Sequence, residues 1–223
     1  MKKLAFLSVI MIIVFVGCRK EKTIYRGQKL SGDGCNEKIY TYSGTPAPGN
    51  SGFARSQVDY GKVEIIVQPI QDQGNLDQLA NDIVSQFTNP YERVYAIYYW
   101  IDENIDYDYP ELDNILQGGG DCAHQNSEVV LQRKLAVCEG FSNIFCILCK
   151  NVGINSVKIH GKVTYDATTG HAWNAVEIEN KWYVLDVTWD ENKKKGTNFF
   201  LIDPIYFYNS HIPYSTYEKW KLF

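Results

Sequence analysis

An α+β fold is predicted, with helices first and an antiparallel sheet after them. Between Leu76 and Lys150 apolar residues recur at helical spacing, whereas from Ser156 to Ile202 they fall in short extended runs. Of the 223 residues, 45% are apolar and 22% charged, enough core material for one domain plus extras and too apolar for a disordered chain.

The N-terminus stands apart from this pattern. Lys2 and Lys3 precede an apolar run, Leu4 to Val16, that has secretory length and is short for a transmembrane helix. It ends in Phe15-Val16-Gly17-Cys18, which resembles a bacterial lipobox and implies lipidation of Cys18 with loss of residues 1–17. That loss removes two lysines and no acid, taking the formal charge from −4 to −6. The expectation is an exported protein, lipid-anchored to a bacterial membrane in the periplasm or at the cell surface. The acidic balance gives no reason to expect a nucleic-acid partner. Residues 18–74 read as a tether and N-terminal extension, with turn signals at Ser31-Gly32-Asp33-Gly34 and Thr45-Pro46-Ala47-Pro48 and a short edge strand at Val63–Val67. The folded domain is expected over residues 75–223.

Within it, Leu76, Leu79, Ala80, Ile83, Val84 and Phe87 mark a first helix. Asn89-Pro90 supplies a cap and an N1 proline for a second, running to about Ile105. Residues 107–121 read as a loop and 124–133 as a short helix. A further helix begins at Cys138, carries Phe141, Ile144, Phe145 and Leu148 on one face, and stops at Gly153. Strands are expected at 156–160, 171–178, 182–188 and 198–202.

Cys138 sits where that helix starts, so its sulfur faces unpaired backbone N–H groups and the positive end of the helix dipole. That environment favours the thiolate, the nucleophilic form. With Cys18 lipidated five cysteines remain, an odd number in an oxidising compartment. Cys146 and Cys149 have CxxC spacing but lie inside the helix with no second ligand pair, so they read as core thiols. Cys122-Ala123-His124 offers two ligands only. No metal or cofactor is expected.

A cysteine nucleophile needs a base, and His171 opens an extended run, His-Ala-Trp-Asn-Ala-Val-Glu-Ile. A two-residue turn at Glu179-Asn180 pairs Ile178 with Lys181 and puts Asp186 opposite residue 173. His171 and Asp186 then become diagonal neighbours, roughly 7–8 Å apart at the backbone and within reach of a hydrogen bond. A one-residue slip would separate them onto opposite faces. His160 and His211 read as structural.

Three segments resemble the linked motifs of the transglutaminase-like superfamily: Ala136-Val137-Cys138-Glu139-Gly140-Phe141, Gly170-His171-Ala172-Trp173-Asn174, and Trp182-Tyr183-Val184-Leu185-Asp186-Val187-Thr188-Trp189-Asp190. Flanking segments, Ile97–Ile101 and Ser210-His211-Ile212-Pro213 among them, are most similar to the kyphoscoliosis-peptidase branch and its bacterial lipoprotein relatives. The resemblance implies a papain-like core, with the cysteine helix packed on the sheet bearing His and Asp. It implies Cys138 as nucleophile, His171 as base and Asp186 as orienting acid, acting on a protein or peptide substrate. The Cys138 backbone N–H is the natural first oxyanion donor. Trp100 and Tyr107 are candidates for a second donor but read better as core, and Trp173 and Trp189 are read as cleft walls. Two other readings stay open: a catalytically inactive interaction module, and a cell-wall peptide amidase.

Overall fold

The computed structural model describes residues 51–164, 166–191, 197–202 and 204–214. The signal-like segment, the lipobox and Cys18 lie outside them. No helix among the described residues is long and apolar enough to cross a membrane.

Two helices stand where the sequence suggests a tether and an edge strand: α1 (Ser51–Ser56) and α2 (Tyr60–Val67). The run Val-Glu-Ile-Ile-Val is helical because Asp59 caps it, its side chain accepting the Lys62 N–H, and because Val63 and Val67, one turn apart, are buried while Ile65 faces solvent. The apolar core therefore begins before residue 75 and includes Ala54 and Val58. Then come α3 (Leu76–Val84) and α4 (Pro90–Asn104), capped by Asn75 and Asn89 as their sequences indicate. The expected loop over 107–121 contains a helix, α5 (Tyr109–Leu116), started by the Asp108 cap and Pro110. Strands β1 (Asp106–Tyr107) and β2 (Leu135–Ala136) form a small parallel pair flanking a 3-10 turn (Cys122–Gln125) and α6 (Ser127–Arg133).

Helix α7 (Cys138–Asn151) opens at Cys138, and Gly153, with φ +75, follows its C-cap. Four antiparallel strands make the main sheet: β3 (Ser156–Val163), β4 (Asp166–Ile178), β5 (Lys181–Leu185) and β6 (His211–Pro213), in spatial order β5-β4-β3-β6. Ile178 pairs with Lys181, and Glu179 and Asn180 both take positive φ, so the expected two-residue turn and its register are present. The expected strand at 182–188 stops at Leu185, because Val187–Glu191 turns into helix α8. Residues 198–202 contribute only an isolated bridge, Val184 to Ile202. A short helix, α9 (Pro204–Phe207), precedes β6.

Alternation along β4 and β5 divides the core in two. Val176, Ile178, Tyr183 and Leu185 pack with the helices, whereas Trp173, Ala175, Trp182 and Val184 pack with Ile159 and Phe207. Gly161 on β3 lies opposite both His171 and Pro213. A Cβ there would stand 2.3 Å from the Ile212 carbonyl oxygen and 2.3 Å from the Trp173 ring. Gly161→Ala is therefore expected to loosen β6 and lower unfolding free energy by about 1–3 kcal/mol, read by denaturant titration; an unchanged midpoint would contradict this packing.

Candidate active site

The start of α7 is set by two close contacts. Gly140 seats the first turn against its surroundings, since a Cβ would come within 2.6 Å of Gln125 Oε1 and 2.9 Å of the Ala136 methyl. Gln125 Oε1 also accepts the Val137 N–H at 3.0 Å, and the Gln125 carbonyl accepts from Asn143 Nδ2 at 2.8 Å. Unlike α2 to α5, helix α7 has no side-chain cap, so its first-turn N–H groups are not taken up by an N-cap residue. Cys138 is half-buried and free.

His171 and Asp186 meet as the hairpin register requires. The His171 Nε2 lies 2.6 Å from Asp186 Oδ2, with both side chains buried. That leaves Nδ1 for another partner, and the Cys138 thiol lies near enough to the ring to act on its charge. Burial disfavours the imidazolium, but the Asp186 carboxylate and the Cys138 contact outweigh it and raise His171 to about 10. Burial likewise opposes the Asp186 charge, yet the two histidines beside it, His171 and His211, hold the carboxyl well below its ordinary range.

Asp186 is pinned through its backbone as well. Its N–H donates to the Phe199 carbonyl at 2.9 Å, and its carbonyl accepts from the Tyr98 hydroxyl at 3.2 Å. Asp190, the second acid of the same motif, accepts from the Asn198 and Phe199 N–H groups and from Tyr98, tying α8 to the segment that holds Asp186. A second polar cluster flanks Cys138. Glu139 contacts His160 Nε2 at 2.8 Å and Lys158, and these partners outweigh its partial burial to lower it to about 2. His160 is thus a brace between β3 and the first turn of α7, consistent with a structural role.

Several expected positions are revised. Trp173 is fully buried behind His171, against Phe207 and His211, so it cannot wall an open cleft. Trp189 retains 9% exposure and stands 5.8 Å from the His171 ring. The Trp100 indole N–H donates to the Ile70 carbonyl, which removes it as an oxyanion donor, and Tyr107 stacks near Phe141. Cys146 is disulfide-bonded rather than a core thiol, as is Cys122, while Cys149 is free and buried, with burial pushing its thiol well up. Three residues were not visible as neighbours of the site from sequence: Gln125, whose buried Nε2 has no hydrogen-bond partner among the described residues; His211, on Asp186; and Tyr214, whose phenol is raised by burial and by the nearby Cys138. The Ser210-His211-Ile212-Pro213 segment carries the family resemblance but no mark that places His211 on Asp186. A thiol, an imidazole and a buried carboxylate in this order have the parts for nucleophilic attack with proton relay.

Residues 77–187 match the model of the transglutaminase-like superfamily. Kyphoscoliosis peptidase from Homo sapiens is 26% identical over 182 residues, covering 73% of this chain, and the Mus musculus protein is 25% identical over the same span. The matched region is 26% of each of those proteins, so the chain spans about a quarter of their length. Among solved structures, a candidate cysteine protease from Cytophaga hutchinsonii is similar at 20% identity and a TM-score of 0.46, covering 71% of this chain and 47% of that one. The α+β architecture and the matched motifs make this chain a member of the transglutaminase-like superfamily, related to its kyphoscoliosis-peptidase branch.

Proposed function

We propose that this protein is a cysteine peptidase or amidase that opens an amide bond of a protein or peptide through a thioester on Cys138. The observation that carries this reading is the His171–Asp186 contact, an imidazole 2.6 Å from a buried carboxylate, with the free Cys138 thiol near enough to act on the ring's charge. An imidazole raised to about 10 is cationic at neutral pH and carries a proton that it can pass to a leaving group.

The steps follow from that charge state. The Cys138 thiolate attacks the amide carbon, and the resulting oxyanion lies near the uncapped first turn of α7, where the Cys138 N–H is the nearest donor. As the C–N bond breaks, His171 Nδ1 delivers its proton to the leaving amine. Neutral His171 then takes a proton from water as the water attacks the thioester, and Cys138 is released with the carboxylate product. Asp186 keeps its proton-free state throughout, fixing the ring orientation and stabilising the imidazolium. An amine in place of water would complete a transamidation from the same intermediate.

Export and anchoring through Cys18 belong to the same proposal. They are supported by the apolar Leu4–Val16 run and its Gly17-Cys18 end, and by disulfide bonding at Cys122 and Cys146, which suits an oxidising compartment.

Incubation of the full chain with a peptide library and with a glutamine donor plus labelled amine tests the activity. Cleavage or amine incorporation is expected with the native chain and not with Cys138→Ala, alongside iodoacetamide labelling of Cys138 well above a model thiol at neutral pH. Labelling no faster than the model thiol would sink the proposal and favour an inactive interaction module.

The ion pair also sets a pH dependence. Because His171 is raised above its ordinary 6.5, its contribution to stability is complete below that value and is lost as pH climbs through about 10. Asp186 is depressed, so its contribution holds above the ordinary carboxylate range and is lost in acid. Asp186→Asn is expected to lower the melting temperature most near pH 6, with the deficit narrowing above pH 10. A deficit that stays constant across that window would contradict the pairing.

A further inference from the structure

His211 lies on β6, forty residues beyond His171 and outside the stretch that the family model matches. Its side chain is fully buried, and its Nε2 lies 3.1 Å from Asp186 Oδ2, the same oxygen that meets His171 Nε2 at 2.6 Å. The other carboxylate oxygen, Oδ1, accepts the Trp189 N–H at 3.3 Å. Three elements therefore converge on this one carboxylate: β4, α8 and β6.

The surroundings of His211 fix its ring. Phe207 stacks on it at 3.9 Å between centroids, Trp189 lies at 4.3 Å and Trp173 packs edge-on at 5.1 Å. Ser210 Oγ stands 2.8 Å from Nδ1. The charged or titratable groups facing it are Asp186 and His171; burial in this aromatic cage keeps the ring on the neutral side. An ionised carboxylate only accepts, so the Asp186 contact calls for the proton of neutral His211 on Nε2, against the weaker call of the neutral Phe207 carbonyl that the ring also meets, while Ser210 Oγ can donate to Nδ1. The hydroxyl's alternative acceptor, the Phe207 carbonyl at 3.1 Å, competes for the same proton without changing the demand at Asp186.

His171, Asp186 and His211 also offer three ligand atoms within 4.8 Å of one another. A shared ion does not explain their spacing. Two ligands about 2.0–2.1 Å from a tetrahedral metal stand roughly 3.3 Å apart, whereas the His171–Asp186 contact is 2.6 Å, the length of a charge-assisted hydrogen bond. Plain core filling does not explain it either, since an apolar ring in this cage would leave Asp186 one donor short.

We propose that His211 is a positioning residue: its Nε2–H anchors Asp186 Oδ2, so that the carboxylate holds His171 in line with the Cys138 thiol. This rests on the thiol-relay reading above and extends the row of three to four. It acts through Asp186 and His171 and touches no substrate.

Three variants of the full chain test it. His211→Phe keeps the ring contacts and deletes the N–H, His211→Gln places an amide N–H near the lost Nε2, and His211→Asn carries an amide too short to reach. The readouts are the rate of Cys138 alkylation by iodoacetamide at neutral pH and the downfield proton resonance of the His171–Asp186 hydrogen bond. His211→Phe is expected to slow alkylation by about tenfold to a hundredfold, the scale of a small misalignment of reacting groups, and to broaden the resonance. His211→Gln is expected to restore both. If His211→Phe fails to fold, the Gln and Asn variants decide, with Gln expected to behave as the native chain and Asn as the loss. A sharp, unshifted resonance in His211→Phe, or equal behaviour of Gln and Asn, would overturn the proposal. A native Cys138 no more reactive than a model thiol would instead defeat the relay reading, and the resonance would still decide what His211 does to Asp186.

Discussion

A carboxylate sealed from water is the constraint on which this fold turns. Asp186 is 1% exposed, and an isolated buried charge is costly enough that proteins neutralise or pair it. Here it is paired: His171 supplies a cation, His211 and the Trp189 N–H supply further donors, and the carboxyl stays ionised. Each donor comes from a different element. The hairpin must keep its register, α8 must break from β5 directly after Asp186, and β6 must return to the sheet edge. The packing around the site can be understood as what keeps those three conditions together.

The opposite end of the row depends on helix α7. Its first turn needs Gly140 to approach Gln125 and Ala136, Gln125 to hold the Val137 N–H, and Glu139 to engage Lys158 and His160 on β3. These contacts bind α7 to the strand next to β4, so the thiol and the imidazole are positioned by one connected body. The deeper helix face, with Phe141, Ile144, Phe145 and Leu148, supplies the apolar anchorage.

Much of this was legible from residues near one another in the chain. Helix caps at Asn75 and Asn89, the Cys138 start, Gly153 and the Glu179-Asn180 turn are local signals, and a two-residue turn alone fixes which face Asp186 occupies. What escaped was set by distant partners. Val63–Val67 is rich in β-branched residues and reads as a strand, but its Asp59 cap and its burial against α4 make it helix. Val187–Glu191 looks like a continuation of β5, yet Asp190 must turn inward to receive the 198–199 backbone. His211 carries no local mark of its role, because its partner lies 25 residues away on another element. Trp173 sits in a motif that suggests a cleft, and only the path of β6 and α9 shows that it is covered.

The central claim is that a cationic imidazole, held by Asp186, stands beside the Cys138 sulfur in the resting protein. Titration of the His171 ring by nuclear magnetic resonance measures it without substrate. The ring is expected to stay protonated through neutral pH and to release its proton at about 10. A His171 ring that loses its proton near the ordinary 6.5 would contradict it.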